Sequence, residues 1–226
     1  PMNSLLVLAR HAESERNAAK RGWPFFGSET DAAPFRGQAD RSTVLTEAGR
    51  AMARALGERL REEHESFDVI VDSGFRRTQE TVEHLLEAWP VEERDAIERH
   101  SNDLLRERDA GYALNMTEEE AASAFPWLQE YWRTEGPYFE RPPGGESLAD
   151  LALRVKLFLE SDLKAFAGRR LLLVTHIGTM QMLRMHLEAW PLAEIDAKLR
   201  GEPIRNCDTF AYTLDSTAAY TTTPTR

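Results

Sequence analysis

The run Leu5-Leu6-Val7-Leu8-Ala9-Arg10-His11-Ala12-Glu13-Ser14 decides how this chain folds. Its five consecutive apolar residues are too few to span a bilayer, but they suit a strand buried on both faces of a sheet. Arginine and histidine side by side are costly in a core, so they are expected to emerge at the carboxyl edge, where open α/β sheets place their ligands. A second run of the same kind, Leu171-Leu172-Leu173-Val174-Thr175-His176-Ile177-Gly178, again ends on histidine, and a glycine follows that can open a helix. One histidine after a strand is usually structural. Two of them, one preceded by arginine, point to an active site.

Between and beyond these runs the pattern alternates. Thr46 suits an N-cap for a helix with Ala48, Met52, Ala55, Leu56 and Leu60 on one face, ending near His64. Asp68-Val69-Ile70-Val71-Asp72 reads as a short strand, and a helix follows from about Phe75 until Pro90 stops it. Ala96 to His100 is a weak third strand. Thr117 with Glu120, and Ser147 with Asp150, make capping boxes for two more helices. A helix from about Gly178 to Trp190 and a strand near Thr209 to Leu214 complete the series. Such alternation implies a layered α/β domain with a largely parallel sheet. No linker divides the chain, so residues 1–226 are expected to form a single domain, with a flap insertion at 18–35 and a threonine-rich tail at 216–226.

Composition narrows the function classes. The 226 residues are 42% apolar and 29% charged, ordinary for a soluble globular protein. A formal net charge of -10 gives no broad attraction for nucleic acid or an anionic membrane, so an anionic substrate must be drawn by a local arginine cluster. Cys207 is the single cysteine, which excludes an intrachain disulfide and fits a reducing compartment. With no signal peptide or membrane span in view, a cytoplasmic location is expected. Pro1 before Met2 reads as a cloning remnant.

Four stretches come from sheet edges or the loops beside them: Arg10-His11 with Asn17, Ser73 to Arg77, Leu105-Arg106-Glu107-Arg108, and His176-Ile177-Gly178. Together they supply two imidazoles, at least two guanidiniums and a carboxyl, an inventory that suits phosphoryl transfer. Arginine forks match phosphate oxygens, and a helix N-terminus after His176 offers free amides to an anion. A neutral imidazole can act as nucleophile, and a protonated carboxyl can donate to a leaving alkoxide.

These stretches resemble the histidine phosphatase superfamily in its phosphoglycerate mutase-like branch. The motif Arg-His-Gly-Glu-Ser with a later Asn reads Arg10-His11-Ala12-Glu13-Ser14 with Asn17. Leu-Thr-x-x-Gly reads Leu45-Thr46-Glu47-Ala48-Gly49. Ser-Pro-Leu-x-Arg-Ala-x-x-Thr reads Ser73-Gly74-Phe75-Arg76-Arg77-Thr78-Gln79-Glu80-Thr81. Leu-x-Glu is Leu105-Arg106-Glu107, Gly-Glu-Ser is Gly145-Glu146-Ser147 with Arg154 at the family spacing, and Val174-Thr175-His176 and Asn206-Cys207 follow in order. The resemblance covers Ser4 to Leu214. It implies a three-layer α/β/α sandwich with a largely parallel central sheet, His11 as the phosphorylated residue, and Arg10, Arg77, His176 and Asn17 around the phosphate. It also implies Glu107 as acid and then base, a substrate-binding set of Gln38, Arg108 and Ile177, and no metal or other cofactor. Ala12 and Ile177 stand where the family has glycine, and Ile177 bears on substrate identity more than on reaction type.

Three functions follow from the resemblance. The first is a phosphatase acting on a small phosphorylated metabolite. The second is a bisphosphoglycerate-dependent phosphoglycerate mutase, and the third a silent phospho-ligand binder. The mutases carry lysine after the asparagine that corresponds to Asn115, whereas this chain has Met116, which favours hydrolysis. Both histidines, both arginines and Glu107 argue against silence. The aromatics Trp23, Phe25, Phe26 and Phe35 of the flap, with Trp127, Tyr131 or Trp132 opposite, are expected to form the rim of the substrate pocket. The alternative is that they pack on neighbouring helices. His64, His84 and His186 are expected at the surface, His100 and Cys207 as structural residues, and a homodimer is possible.

Overall fold

The computed structural model describes residues 4–20, 24–201, 203–214 and 223–225; Pro1, Met2, Trp23 and most of the tail lie outside the described residues. The strands are β1 (Ser4–Arg10), β2 (Val69–Asp72), β3 (Glu98–Ser101), β4 (Arg170–Thr175), β5 (Thr209–Leu214) and β6 (Thr223–Thr225), in sheet order β3-β2-β4-β1-β5-β6. The first four are parallel, while β5 runs antiparallel to β1 and β6 antiparallel to β5. The helices are α1 (Glu15–Lys20), α2 (Glu29–Ala32), α3 (Glu47–His64), α4 (Arg76–Leu85), α5 (Val91–Ala96), α6 (Glu118–Ala124), α7 (Leu128–Phe139), α8 (Leu148–Glu160), α9 (Ile177–Leu187) and α10 (Ile195–Leu199).

The unbroken apolar runs are explained by burial on both faces. Successive strand residues point to opposite sides. Leu6, Leu8, Val71, Leu171 and Leu173 therefore pack against Leu151, Val155 and Phe158 of α8 and Met180 and Leu183 of α9. Val7, Ala9, Ile70, Leu172 and Val174 pack on the other side against Leu56 and Leu60 of α3 and Val82 and Leu85 of α4. The result is a three-layer α/β/α sandwich.

Sheet register then places the two histidines. Arg10 on β1 is the partner of Thr175 on β4, so His11 and His176, each the next residue, leave the sheet side by side. Asp72 on β2 pairs with Val174, which brings Ser73 beside His176 from the other flank. The caps hold as their sequences imply: Thr46 Oγ1 accepts from the Gly49 amide at 2.9 Å, and both capping boxes are closed. Gly49 is needed for close approach, because a Cβ there would lie 2.0 Å from the Glu13 carbonyl oxygen.

Pro90 does stop the helix, and the short helix α5 follows it; none of the residues of α5 is buried, so its sequence carries no apolar stripe to announce it. Two expectations are corrected. His64, His84 and His186 are half-buried rather than superficial: His64 meets the Phe67 ring, His84 contacts Glu87 at 2.7 Å, and His186 Nε2 donates to the Ala152 carbonyl at 2.9 Å. The flap aromatics turn inward. Phe25 stacks on Trp132 with ring centroids 5.8 Å apart and joins a small core with α6 and α7, the alternative of packing on neighbouring helices, while Phe26 stacks on Phe35 at 5.1 Å in a core within the segment. The flap is tied to the chain before α6 by Phe26 N–H to Met116 O and Glu118 N–H to Phe26 O, each 3.0 Å.

Candidate active site

At the carboxyl edge of the sheet a cavity of about 700 Å³ is lined by Arg10, His11, Asn17, Arg77, Glu107 and Gly178, among others. His11 and His176 are 2% and 0% exposed, with ring centroids 5.1 Å apart in an edge-on arrangement.

The tautomer of His11 is set by the backbone. Its Nδ1 lies 2.7 Å from the Ala12 carbonyl oxygen, which can only accept, so Nδ1 carries the proton and Nε2 holds the free lone pair. That peptide is itself held, since Ala12 N–H donates to Thr81 Oγ1 at 3.0 Å and the Thr81 hydroxyl donates to the Arg77 carbonyl. Burial first, then the nearby Arg77 and Arg10 guanidiniums, hold the His11 ring well below the usual histidine range, so it is neutral at pH 7. His176 is likewise depressed, by burial, Arg77, the His11 ring, Arg10 and Arg154.

Donors surround the space in front of His11. Arg10 gives one terminal nitrogen to the Ile204 carbonyl at 2.7 Å, while its Nε is buried without a partner among the described residues. Arg77 is 5% exposed and gripped by Asp40, with Nη1 3.2 Å from Oδ1 and Nη2 3.1 Å from Oδ2. Asp40 also faces Arg16 Nε at 3.4 Å. Asn17 Oδ1 accepts from Ser14 N–H at 3.2 Å and from Asn206 Nδ2 at 3.3 Å, which leaves its amide NH2 for an anion. Asn206 also donates to the His11 carbonyl at 2.8 Å, so the late Asn-Cys pair fixes the backbone of the first histidine. Burial pushes the Cys207 thiol up to about 11, which suits a packing residue.

Glu107 reaches the cavity from the loop after β3. Burial raises its carboxyl above the usual range, against the opposing pull of the Arg108 amide and of Arg77, Arg10 and Arg108. Protonation is thereby favoured relative to an exposed glutamate. The loop is clasped by Arg154 of α8, whose guanidinium donates to the carbonyls of Leu104, Arg106 and Glu107 at 2.8, 2.9 and 3.0 Å and pairs with Glu146 at 2.7 Å. Thr175 and Thr179 hydroxyls donate to the Leu105 and Arg106 carbonyls at 2.7 Å each.

The cavity thus gathers His11, Arg10, Arg77, Asn17, Glu107, Arg108 and Ile177, with His176 behind them. Gln38 is not among its lining; it is exposed, and its carbonyl accepts from Asn115 Nδ2 at 3.4 Å. The apolar wall includes Ile177, Trp132, Pro137 and Leu199, whereas Phe25, Phe26, Trp127 and Tyr131 stand outside it. Sequence reasoning missed Asp40, Arg16 and Lys20. They lie where no periodicity marks them, and only tertiary contact brings Asp40 to Arg77. Lys20 donates to the Pro24 and Leu114 carbonyls, and burial beside Arg16 lowers it to about 8.

Comparison with known proteins gives the family and the fold. The profile of the histidine phosphatase superfamily (branch 1) matches residues 6–209. The 2,3-bisphosphoglycerate-dependent phosphoglycerate mutase of Methylorubrum extorquens (strain PA1) is 33% identical over 83% of this chain and 80% of its own length. That of Methylobacterium radiotolerans is 33% identical over 90% and 89%. Among solved structures, a mycobacterial glucosyl-3-phosphoglycerate phosphatase in complex with VO3 superposes with a TM-score of 0.68 at 25% identity, covering 93% of this chain and 91% of that one. The α-ribazole phosphatase of Shigella flexneri gives 0.71 at 21%, covering 94% and 91%, and speaks for the fold alone.

Proposed function

The chain belongs to the histidine phosphatase superfamily (branch 1), and on that premise we propose that it is a metal-independent phosphatase hydrolysing small phosphomonoesters through a phosphohistidine at His11. It is an enzyme of phosphoryl transfer, phosphatase or mutase. One observation carries the covalent step: His11 Nδ1–H is spent on the Ala12 carbonyl, so a neutral Nε2 lone pair stands beside two arginines.

In this reading Arg10, Arg77, Asn17 and His176 hold the three non-bridging oxygens, where a loose transition state concentrates its charge. The Nε2 lone pair forms the N–P bond as the P–O bond to the leaving group breaks, and Glu107 delivers its proton to the departing oxygen. Glu107, now a carboxylate, takes a proton from water, whose oxygen attacks phosphorus and releases the N–P electrons to His11. Phosphate leaves, with Glu107 protonated and the imidazole neutral again. The apolar wall of Ile177, Trp132, Pro137 and Leu199 suits an ester with an apolar body.

Hydrolysis is favoured over mutation by the segment around Asn115. Its side chain accepts from Arg16 and donates to the Gln38 carbonyl, and Met116 packs beside Phe25, so no cation follows the asparagine to hold a substrate carboxylate. The mutase reading rests on the names of relatives at 33% identity. A screen of phosphorylated metabolites for phosphate release, run beside an assay of 3- to 2-phosphoglycerate interconversion with and without bisphosphoglycerate, separates them. Interconversion faster than phosphate release on every ester would overturn the phosphatase.

A further inference from the structure

His176 is held from one side only. Its Nε2 lies 2.7 Å from Ser73 Oγ, while its buried Nδ1 has no hydrogen-bond partner among the described residues. Ser73 Oγ is 3.0 Å from Thr78 Oγ1, which is 2.8 Å from the Phe75 carbonyl oxygen, and the Phe75 amide points at Ser73 Oγ from 3.4 Å. Ser73, Thr78 and His176 are each 0% exposed, so the chain of hydroxyls runs through the interior.

The protons follow from chemistry. A carbonyl only accepts, so the Thr78 hydroxyl donates to Phe75 and turns a lone pair to Ser73. Ser73 gives its single proton to Thr78, and its two lone pairs face the Phe75 N–H and His176 Nε2. That nitrogen therefore carries the ring proton, and the neutral ring presents a bare lone pair at Nδ1. A phosphate oxygen also brings only lone pairs, so the two repel until a proton comes between them.

Taking the cavity as a phosphate site in which, as proposed above, His176 holds one of the oxygens through Nδ1, we propose that Thr78, acting through Ser73, holds free His176 in its Nε2-protonated form, so that binding of a phosphate dianion is coupled to uptake of one proton at His176 Nδ1. The proton comes from solvent, and a neutral imidazole plus a dianion becomes an imidazolium–dianion pair. Every member of the chain is then satisfied: Nδ1–H to phosphate, Nε2–H to Ser73, Ser73 to Thr78, Thr78 to Phe75. A side chain without a hydroxyl at position 78 frees the Ser73 proton to turn to Nε2. The ring then meets phosphate as a neutral Nδ1–H donor and needs no added proton. The family motif has alanine at this position, so the coupling belongs to this chain's own Thr78.

The groups facing His176 fit the coupling. Arg10 and the His11 ring approach from the end of β1, Arg77 from α4 and Arg154 from α8, while Glu107 lies against Gly178 at the start of α9. Three cations oppose a charge on the empty ring, and a bound dianion offsets them.

The test uses inorganic phosphate and the intact enzyme with 15N-labelled histidine, above pH 8. In wild type the His176 Nδ1 signal is expected to be unprotonated when free and protonated with phosphate. Calorimetry in buffers of different ionisation enthalpy should show uptake approaching one proton, with affinity falling about tenfold per pH unit. Thr78→Val, close in shape, should bind phosphate with a neutral ring and a flatter pH dependence, and Thr78→Ser should restore the wild-type pattern. A protonated Nδ1 in the free wild type, a neutral ring in its complex, or identical behaviour of Thr78→Val and wild type would overturn the coupling. Failure of phosphate to bind at all would instead count against the phosphatase reading.

Discussion

A Cβ at position 178 would lie 2.7 Å from Glu107 Oε1, so the glycine at the start of α9 is what admits the Glu107 carboxyl to the site. The obstructed atom is the tip of a flexible side chain, which can swing away while the backbone stays. Gly178→Ala is therefore expected to fold normally, to process aryl phosphates within a few-fold of wild type, and to lose at least about tenfold on alkyl phosphates, which need the proton. Steady-state rates on both substrates, with a thermal melt as control, check this. An equal loss on both would mean that the seat of Glu107 does not matter to the leaving group.

The raised pKa of Glu107 gives a direction in pH. The acid works protonated, so alkyl-ester turnover should fall as pH rises through its pKa, which burial holds above 4.5. His11 works neutral, and because its pKa lies well below 6.5 the acid limb falls below that value. The profile is thus skewed to the acid side. At saturating substrate, Glu107→Gln should remove the basic limb and cost ~10²–10⁴-fold on alkyl esters, with little change on aryl phosphates. A basic limb that survives in Glu107→Gln would assign it to another group.

The flap behaves as a small core. Phe26 is fully buried against Phe35, and the Arg16 guanidinium lies 4.8 Å from the Phe35 ring centroid. Phe26→Ser is expected to lower stability by about 3–5 kcal/mol, the scale of emptying a buried phenylalanine site. Trp132→Ala should instead raise KM for esters with a large apolar body, since Trp132 lines the cavity. Melting curves and KM values separate the two. A stable Phe26→Ser with a raised KM would return the flap to the pocket rim.

How much of this was legible depends on what each residue touches. β1 and β4 announce themselves because burial on both faces leaves an uninterrupted apolar run, and their register alone sets His11 beside His176. Thr46, Thr117 and Ser147 could be read as caps because capping is local. Asp40 could not: its value lies in bridging Arg16 and Arg77, and the latter is 37 residues away. Thr78 sits inside a recognised motif, yet its bond to Ser73 appears only when α4 is built. The flap aromatics were read from composition, and composition does not say which way a ring points. Phe25 faces inward onto Ala121, Leu128 and Trp132 of α6 and α7, and Phe26 onto Ala32 and Phe35 of its own loop.

The central claim is that His11 Nε2 takes the phosphoryl group. Rapid quench of the enzyme with a 32P-labelled phosphomonoester tests it most directly. The expected result is an acid-labile, base-stable adduct on wild type, formed and consumed at rates compatible with turnover, mapped to His11 and absent from His11→Ala. A His11→Ala enzyme that keeps normal turnover, or a wild type that turns over with no trapped phosphohistidine at any time point, would contradict it.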